Sequence, residues 1–131
     1  MWNQIRLWAR IAWFCKTPFF FPQDREYLSL TDEQVERLFS EHEQAMTEMG
    51  YKWTGEIWDC DDAQSIFKGI ASQLKMNAVW NVSGYKGKVP WKRRHAFGLL
   101  LTETKGFRYV EPQNVRKTDL RQYHALRVMW G

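Results

Sequence analysis

Apolar positions along the chain keep two rhythms, first a helical one and then an alternating one. Trp2, Ile5, Trp8 or Ala9, Ala12 and Trp13 recur at roughly one-turn intervals, which predicts an amphipathic helix within residues 1–18. A helix lying on a membrane surface is the alternative use of such a face. Pro18 and Pro22 flank three phenylalanines and break the pattern. The next helix announces itself with Thr31 and Gln34, the T-x-x-Q spacing of a capping box. Val35, Leu38, Phe39, His42, Ala45, Met46 and Met49 then line one face, and Gly50 supplies a stop. A loop, "YKWTGEIW", leads to a third helix that begins near Asp59 to Asp61. Its stripe is Ala63, Ile66, Phe67, Ile70, Ala71 and Leu74. The small alanines allow close packing and place this helix deep in the fold.

Beyond Met76 the period changes to that of strands. "NAVWNV" at 77–82 predicts one strand, ended by "SGYKGK". "HAFGLLLT" at 95–102 predicts a buried one. Lys105-Gly106 marks a turn, and "FRYVEP" follows with Phe107, Tyr109 and Glu111 on one face. "YHALRVMWG" closes the chain as a last strand. Helices followed by mostly antiparallel strands make the α+β pattern, here as one domain over residues 1–131, with N-terminal helices packed on a small sheet.

Composition narrows the classes. An apolar content of 44% and an aromatic content of 16% exclude a disordered chain. Eight tryptophans are a heavy load, and exposed tryptophans often mark contact surfaces. The net charge of +4 permits an acidic partner without requiring one. Cys15 and Cys60, far apart, suggest no disulfide framework. Arg6, Arg10 and Lys16 interrupt the N-terminal apolar residues, so no secretory signal is expected. No apolar run reaches the length of about 18 residues that a spanning helix needs. The expected setting is cytoplasmic and reducing.

Candidate chemistry begins at "WDCDDAQ", residues 58–64, where one thiol sits among Asp59, Asp61 and Asp62 at a predicted helix start. Unpaired amides and the helix dipole favour an anion there, which suits a nucleophilic thiolate. A buried structural cysteine is the ordinary reading. The aspartates suit a helix start and can cap it, they repel a nearby thiolate, and clustered carboxylates also suit a hard cation such as calcium. His95 opens an apolar strand and can face a cleft, or sit in the basic turn "WKRRH". Glu111, Gln113 and Asn114 end the neighbouring strand, where a carboxylate or amide can reach the imidazole and fix its tautomer. Turn chemistry around Pro112 is their ordinary role. His42, on an apolar helix face, reads as a satisfied core residue, and His124 has no evident partner. Together the residues give the chain order of thiol catalysis, Cys, His, then acid or amide.

The strings "W-D-C-D-D-A", "H-A-F-G-L-L-L" and "F-R-Y-V-E-P-Q" resemble a divergent papain-like group over roughly residues 27–114. The group includes the C-terminal peptidase domain of fungal chimeric agglutinins and small bacterial and phage relatives. The resemblance implies a papain-like fold with Cys60 as nucleophile, His95 as general base and Glu111 as the orienting member. It also implies calcium dependence, with Asp61 and Asp62, and Asp59 beside them, as the metal-binding carboxylates. Departures stand beside it. Ala63-Gln64 replaces an aromatic and Ala, Phe97-Gly98 stands where the group often has Asn, and Lys92, Arg93 and Arg94 precede His95. The backbone N–H of Cys60 can serve one oxyanion donor, and Thr54 is a substitute for the missing side-chain donor.

The resulting expectation is a cysteine hydrolase acting on peptide or amide bonds of a protein or peptide substrate. The rival is a silent papain-like scaffold, a phage or bacterial binding or inhibitor protein. Its contact surface for protein or nucleic acid would be Tyr85, Lys86, Lys88, Trp91, Lys92, Arg93 and Arg94. A third expectation, a structural subunit docked through the N-terminal helix, rests on the tryptophans alone.

Overall fold

The computed structural model describes residues 2–17, 24, 26–52, 54, 59–87 and 94–129. Short strands β1 (Trp2–Asn3) and β2 (Glu26–Tyr27) pair antiparallel and enclose helix α1 (Gln4–Cys15) between them in sequence. Asn3 caps α1 by accepting from the Arg6 amide at 2.9 Å. The buried stripe of α1 is Leu7, Ile11 and Cys15, not the tryptophan face that the periodicity suggested. Ile5 and Trp13 instead face solvent, at 83% and 76% exposure. Four-residue steps put the smaller side chains against the sheet, and the bulky ones are left outside.

Helix α2 (Asp32–Glu48) starts as predicted. The Gln34 amide donates to Thr31 Oγ1 at 3.1 Å, and the Thr31 amide to Gln34 Oε1 at 2.9 Å. Its buried side chains are Val35, Leu38, Phe39 and His42, while Met49 is exposed. Helix α3 (Cys60–Gln73) buries Ala63, Gln64, Phe67 and Ala71.

Strands β3 (Val79–Lys86), β4 (Arg94–Thr102), β5 (Gly106–Val110) and β6 (Tyr123–Met129) form one antiparallel sheet in the order β5-β4-β3-β6. On one face Leu7, Ile11 and Cys15 of α1 meet Trp80, Val82, Phe97 and Leu99. On the other, Leu38 and Phe39 of α2 and Phe67 and Ala71 of α3 meet Val79, Leu100 and Val110. Each fully buried large side chain contributes about 1.5–3 kcal/mol, so the sheet is fixed from both sides. Leu30 pairs with the end of β4, donating to Leu101 O at 2.9 Å and accepting from the Glu103 amide at 2.9 Å. That bond pair ties the start of α2 to the sheet.

Contrary to expectation, β3 does not end at "SGYKGK" but runs on to Lys86. A register shift between Ser83 and Gly84 accommodates β6. Gly84 is needed there because a Cβ would lie 2.0 Å from the His124 backbone oxygen. The glycine that reads as a strand stop is therefore a point of close approach. None of the described helices is long and apolar enough to cross a membrane.

Candidate active site

The N-terminus of α3 meets the start of β4, and Cys60 is the first residue of that helix. Its position follows from the cap. Asp59 Oδ1 accepts from the Asp61 and Asp62 amides at 3.1 and 3.4 Å, and Asp62 Oδ2 takes the Asp59 amide at 3.2 Å. The Tyr51 hydroxyl donates to the Asp59 carbonyl at 2.8 Å and holds the cap from outside. Burial, and then the acidic groups Cys60, Asp59, Asp62 and Glu111, push that hydroxyl up to about 12, so it remains a donor. Cys60 is half-buried, and its Sγ accepts from the Ala96 amide at 3.4 Å. The sulfur thus lies on the strand that carries His95.

His95 Nε2 lies 2.6 Å from Glu111 Oε2, with both side chains buried. The amide that meets the Cys60 sulfur belongs to Ala96, the next residue along β4, so the thiol and the imidazole are neighbours. With Nε2 engaged by the carboxylate, Nδ1 is the nitrogen left for the thiol. Burial alone lowers the pKa of His95, but the bonds to Cys60 and Glu111 and the Glu111 charge outweigh it, and the net direction is upward. Glu111 receives three further donors: the Tyr123 hydroxyl at 2.5 Å, the Lys86 ammonium at 3.4 Å and, at Oε1, the Gln113 amide at 3.2 Å. Burial would raise its pKa, yet the His95 and Tyr123 hydrogen bonds carry it down to about 2. An imidazole thus sits against an ionised carboxylate, one residue from the strand amide that meets the thiol. An imidazole so held can take a proton from sulfur while the carboxylate balances the charge it acquires.

The residues beside these three are placed less uniformly. Gln113 uses only its backbone on Glu111, with its side chain at the surface. Asn114 does turn chemistry, its Oδ1 accepting from the Arg116 amide at 3.2 Å. Thr54 is exposed. Of the implied calcium carboxylates, Asp59 and Asp62 are engaged in the cap and Asp61 is exposed. Among the described residues no three His, Cys, Asp or Glu side chains gather to hold a metal ion. Tyr85 stacks on His124 at 4.9 Å and Arg94 is exposed. Lys86, read as a contact residue, turns instead to Glu111. Lys88, Trp91, Lys92 and Arg93 lie outside the described residues.

Three contributors escaped the sequence reading. Tyr123 comes from β6 and also meets the His95 ring edge-on at 5.5 Å. Gln64, one turn after Cys60, is buried and donates to Asn81 Oδ1 at 2.7 Å, close over Gly98. His42 reads correctly as a core residue, but it also bonds the Pro112 carbonyl at 2.7 Å, directly after Glu111. Burial holds His42 below the usual imidazole range, so its Nε2–H is the donor. Cys15 is remote from all this. Burial pushes its thiol up to about 11, against a hydrogen bond with Tyr109.

No protein-family model matches the chain, and no curated protein sequence does. Its fold is shared with solved structures. It is similar to PSL1a in the PSL1a-E64 complex, at 25% identity and a TM-score of 0.64, over 83% of this chain and 41% of that one. It is similar also to the Polyporus squamosus lectin bound to the human-type influenza-binding epitope Neu5Aca2-6Galb1-4GlcNAc, at 24% identity and a TM-score of 0.63, over 84% and 41%. The chain spans about two-fifths of the length of these lectin chains. The likeness to a fungal agglutinin, and with it the papain-like α+β architecture, is borne out.

Proposed function

We propose that this chain is a thiol hydrolase that cleaves peptide or amide bonds through Cys60, His95 and Glu111. The observation that carries the reading is the His95 imidazole held by Glu111 at 2.6 Å, on the strand whose Ala96 amide meets the Cys60 sulfur at 3.4 Å. The presence of E64 with PSL1a, a protein of the same fold, is consistent with it.

In this reading His95 takes the Cys60 proton as sulfur attacks the carbonyl carbon, forming the C–S bond and a tetrahedral oxyanion. The cap engages the amides of Asp61 and Asp62, and the amide of Cys60 itself is the oxyanion donor nearest the sulfur. Collapse breaks the C–N bond, and His95 returns its proton to the leaving amine. Water then attacks the thioester, His95 accepts its proton, the C–S bond breaks, and that proton restores the thiol. Glu111 holds the ring and stabilises the imidazolium throughout.

The test is covalent labelling with a thiol-directed epoxide, read by intact mass and peptide mapping. One adduct on Cys60 is expected, none in Cys60→Ala, and labelling slowed about a hundredfold or more in His95→Ala. Labelling confined to Cys15, or none in a folded protein, overturns the reading. A silent binding scaffold would show no dependence on His95.

A further inference from the structure

Two clefts adjoin beyond Glu111, sharing Lys117 and Arg121. One, of about 610 Å³, is floored by Tyr123 and Lys86, the two side chains that hold Glu111. The other, of about 400 Å³, adds Lys105 and Arg108. Five cations line the pair against one carboxylate, Asp119, which Arg121 already meets at 3.0 Å. Among the described residues Lys105, Arg108 and Lys117 meet no carboxylate, while Arg108 lies over the Phe39 ring and Lys117 over that of Tyr123, donating to its hydroxyl at 3.4 Å. Arg116 shows the contrast, since Glu36 and Glu43 meet it at 2.7 and 2.9 Å on the neighbouring surface. Unpaired cations gathered in a concave wall attract an anionic ligand and hold it more firmly than scattered surface charges do.

The reaction fixes which part of a substrate reaches this wall. The acyl half stays bonded to Cys60, while the leaving amine must lie by the imidazole to receive its proton. The cleft at Lys86 and Tyr123 adjoins the two side chains that hold Glu111, on the carboxylate side of the imidazole, and a chain continuing from that amine is assigned to it. The aromatic rings bordering it are already committed. Tyr109 packs on Phe14 and Phe97, and Tyr123 on His95 and Phe97. That disfavours nucleic acid, whose bases need open stacking faces, and favours carboxylate side chains.

Resting on the hydrolase reading, we propose that the cleft lined by Lys86, Lys105, Arg108, Lys117 and Arg121 binds an acidic peptide segment C-terminal to the scissile bond. Binding of fluorescein-labelled octaglutamate, octalysine and a dT octamer is measured by anisotropy at low salt, on the parent chain and on Lys105→Glu/Arg121→Glu. Octaglutamate is expected to bind best, to weaken with added salt, and to lose at least tenfold in the variant. Lys105→Gln/Arg121→Gln, checked by thermal melting, serves if the reversal fails to fold, with a smaller loss in the same direction. Tighter binding of the oligonucleotide, equal binding of octalysine, or an unchanged variant overturns the proposal. A positional peptide library then locates the preference. Acidic residues favoured after the cleaved bond support the assignment, and acidic residues favoured only before it overturn it. Epoxide labelling of Cys60 tells the two failures apart: labelling without octaglutamate binding removes the acidic cleft alone, and binding without labelling removes the hydrolase.

Discussion

Replacing Glu111 by Gln removes one charge from the most enclosed part of the site with little change of shape. In the parent protein the carboxylate faces His95 at 2.6 Å and Lys86 at 3.4 Å. Two unit charges about 4 Å apart attract by about 4 kcal/mol at an effective dielectric constant of about 20. Removing one member of a buried pair costs about 3–5 kcal/mol in all. The amide keeps an acceptor oxygen for Tyr123 or His95, so a loss of about 3 kcal/mol is expected. Its pH dependence follows from the two titrations. His95 titrates above its ordinary 6.5 in the folded protein, so its contribution is complete below that value and fades as pH rises through the folded pKa. Glu111 falls from 4.5 to about 2, so its contribution is complete above 4.5 and fades as pH falls through about 2. Both are complete between 4.5 and 6.5, where the variant should lose most. As pH rises past the folded pKa of His95 the imidazole becomes neutral, and what remains is a hydrogen-bond difference of about 1 kcal/mol together with the partly exposed Lys86 contact. Urea denaturation of both proteins at about pH 5.5 and 9.5 measures this. A difference under about 1 kcal/mol at the lower pH, or an equal one at both, would refute the ion pair.

Tyr123→Phe keeps the ring but deletes a donor to a buried carboxylate, and denaturation should show a loss of about 1.5–3 kcal/mol. Epoxide labelling should slow with it, while His124→Ala, at the surface, leaves the rate unchanged. Asp59→Ala strips the α3 cap and should cost about 0.5–2 kcal/mol by thermal unfolding, with Asp59→Asn restoring most of it. Gly84→Ala drives a Cβ to 2.0 Å from a backbone oxygen and should cost about 3 kcal/mol or more. Gly69→Ala, on open helix surface, should stabilise by about 0.5–1 kcal/mol in the same urea series.

What the sequence made legible was what local chemistry controls. Thr31 and Gln34 wrote the start of α2, and Asp59 with Asp62 wrote the start of α3, so Cys60 fell at a helix tip by short-range rules. The apolar run of β4 and the turn at Gly106 brought His95 and Glu111 onto adjacent strands for the same reason. Tyr123 and Lys86 were illegible because β6 pairs with β3 rather than with its sequence neighbour β5. Nothing in a linear pattern states that order. The buried face of α1 was misread because tryptophan dominates a periodicity by bulk, whereas packing space at the sheet selected Leu7, Ile11 and Cys15. Gln64 entered the sequence reading only as a departure from the family pattern, and its burial depends on the bare Cα of Gly98 and the side chain of Asn81, which no linear pattern brings to it.

The two sulfurs sit in different settings, Cys15 buried in the core that α1 forms with the sheet and Cys60 half-buried at the start of α3. The chain has no third cysteine. A peroxide that converts Cys60 to its sulfenic acid therefore meets in Cys15 only a buried thiol that burial keeps protonated, a poor trap for an internal disulfide. Recovery depends on a thiol from outside the molecule, and where none is supplied the oxidation runs on to the sulfinic and sulfonic acids and becomes permanent.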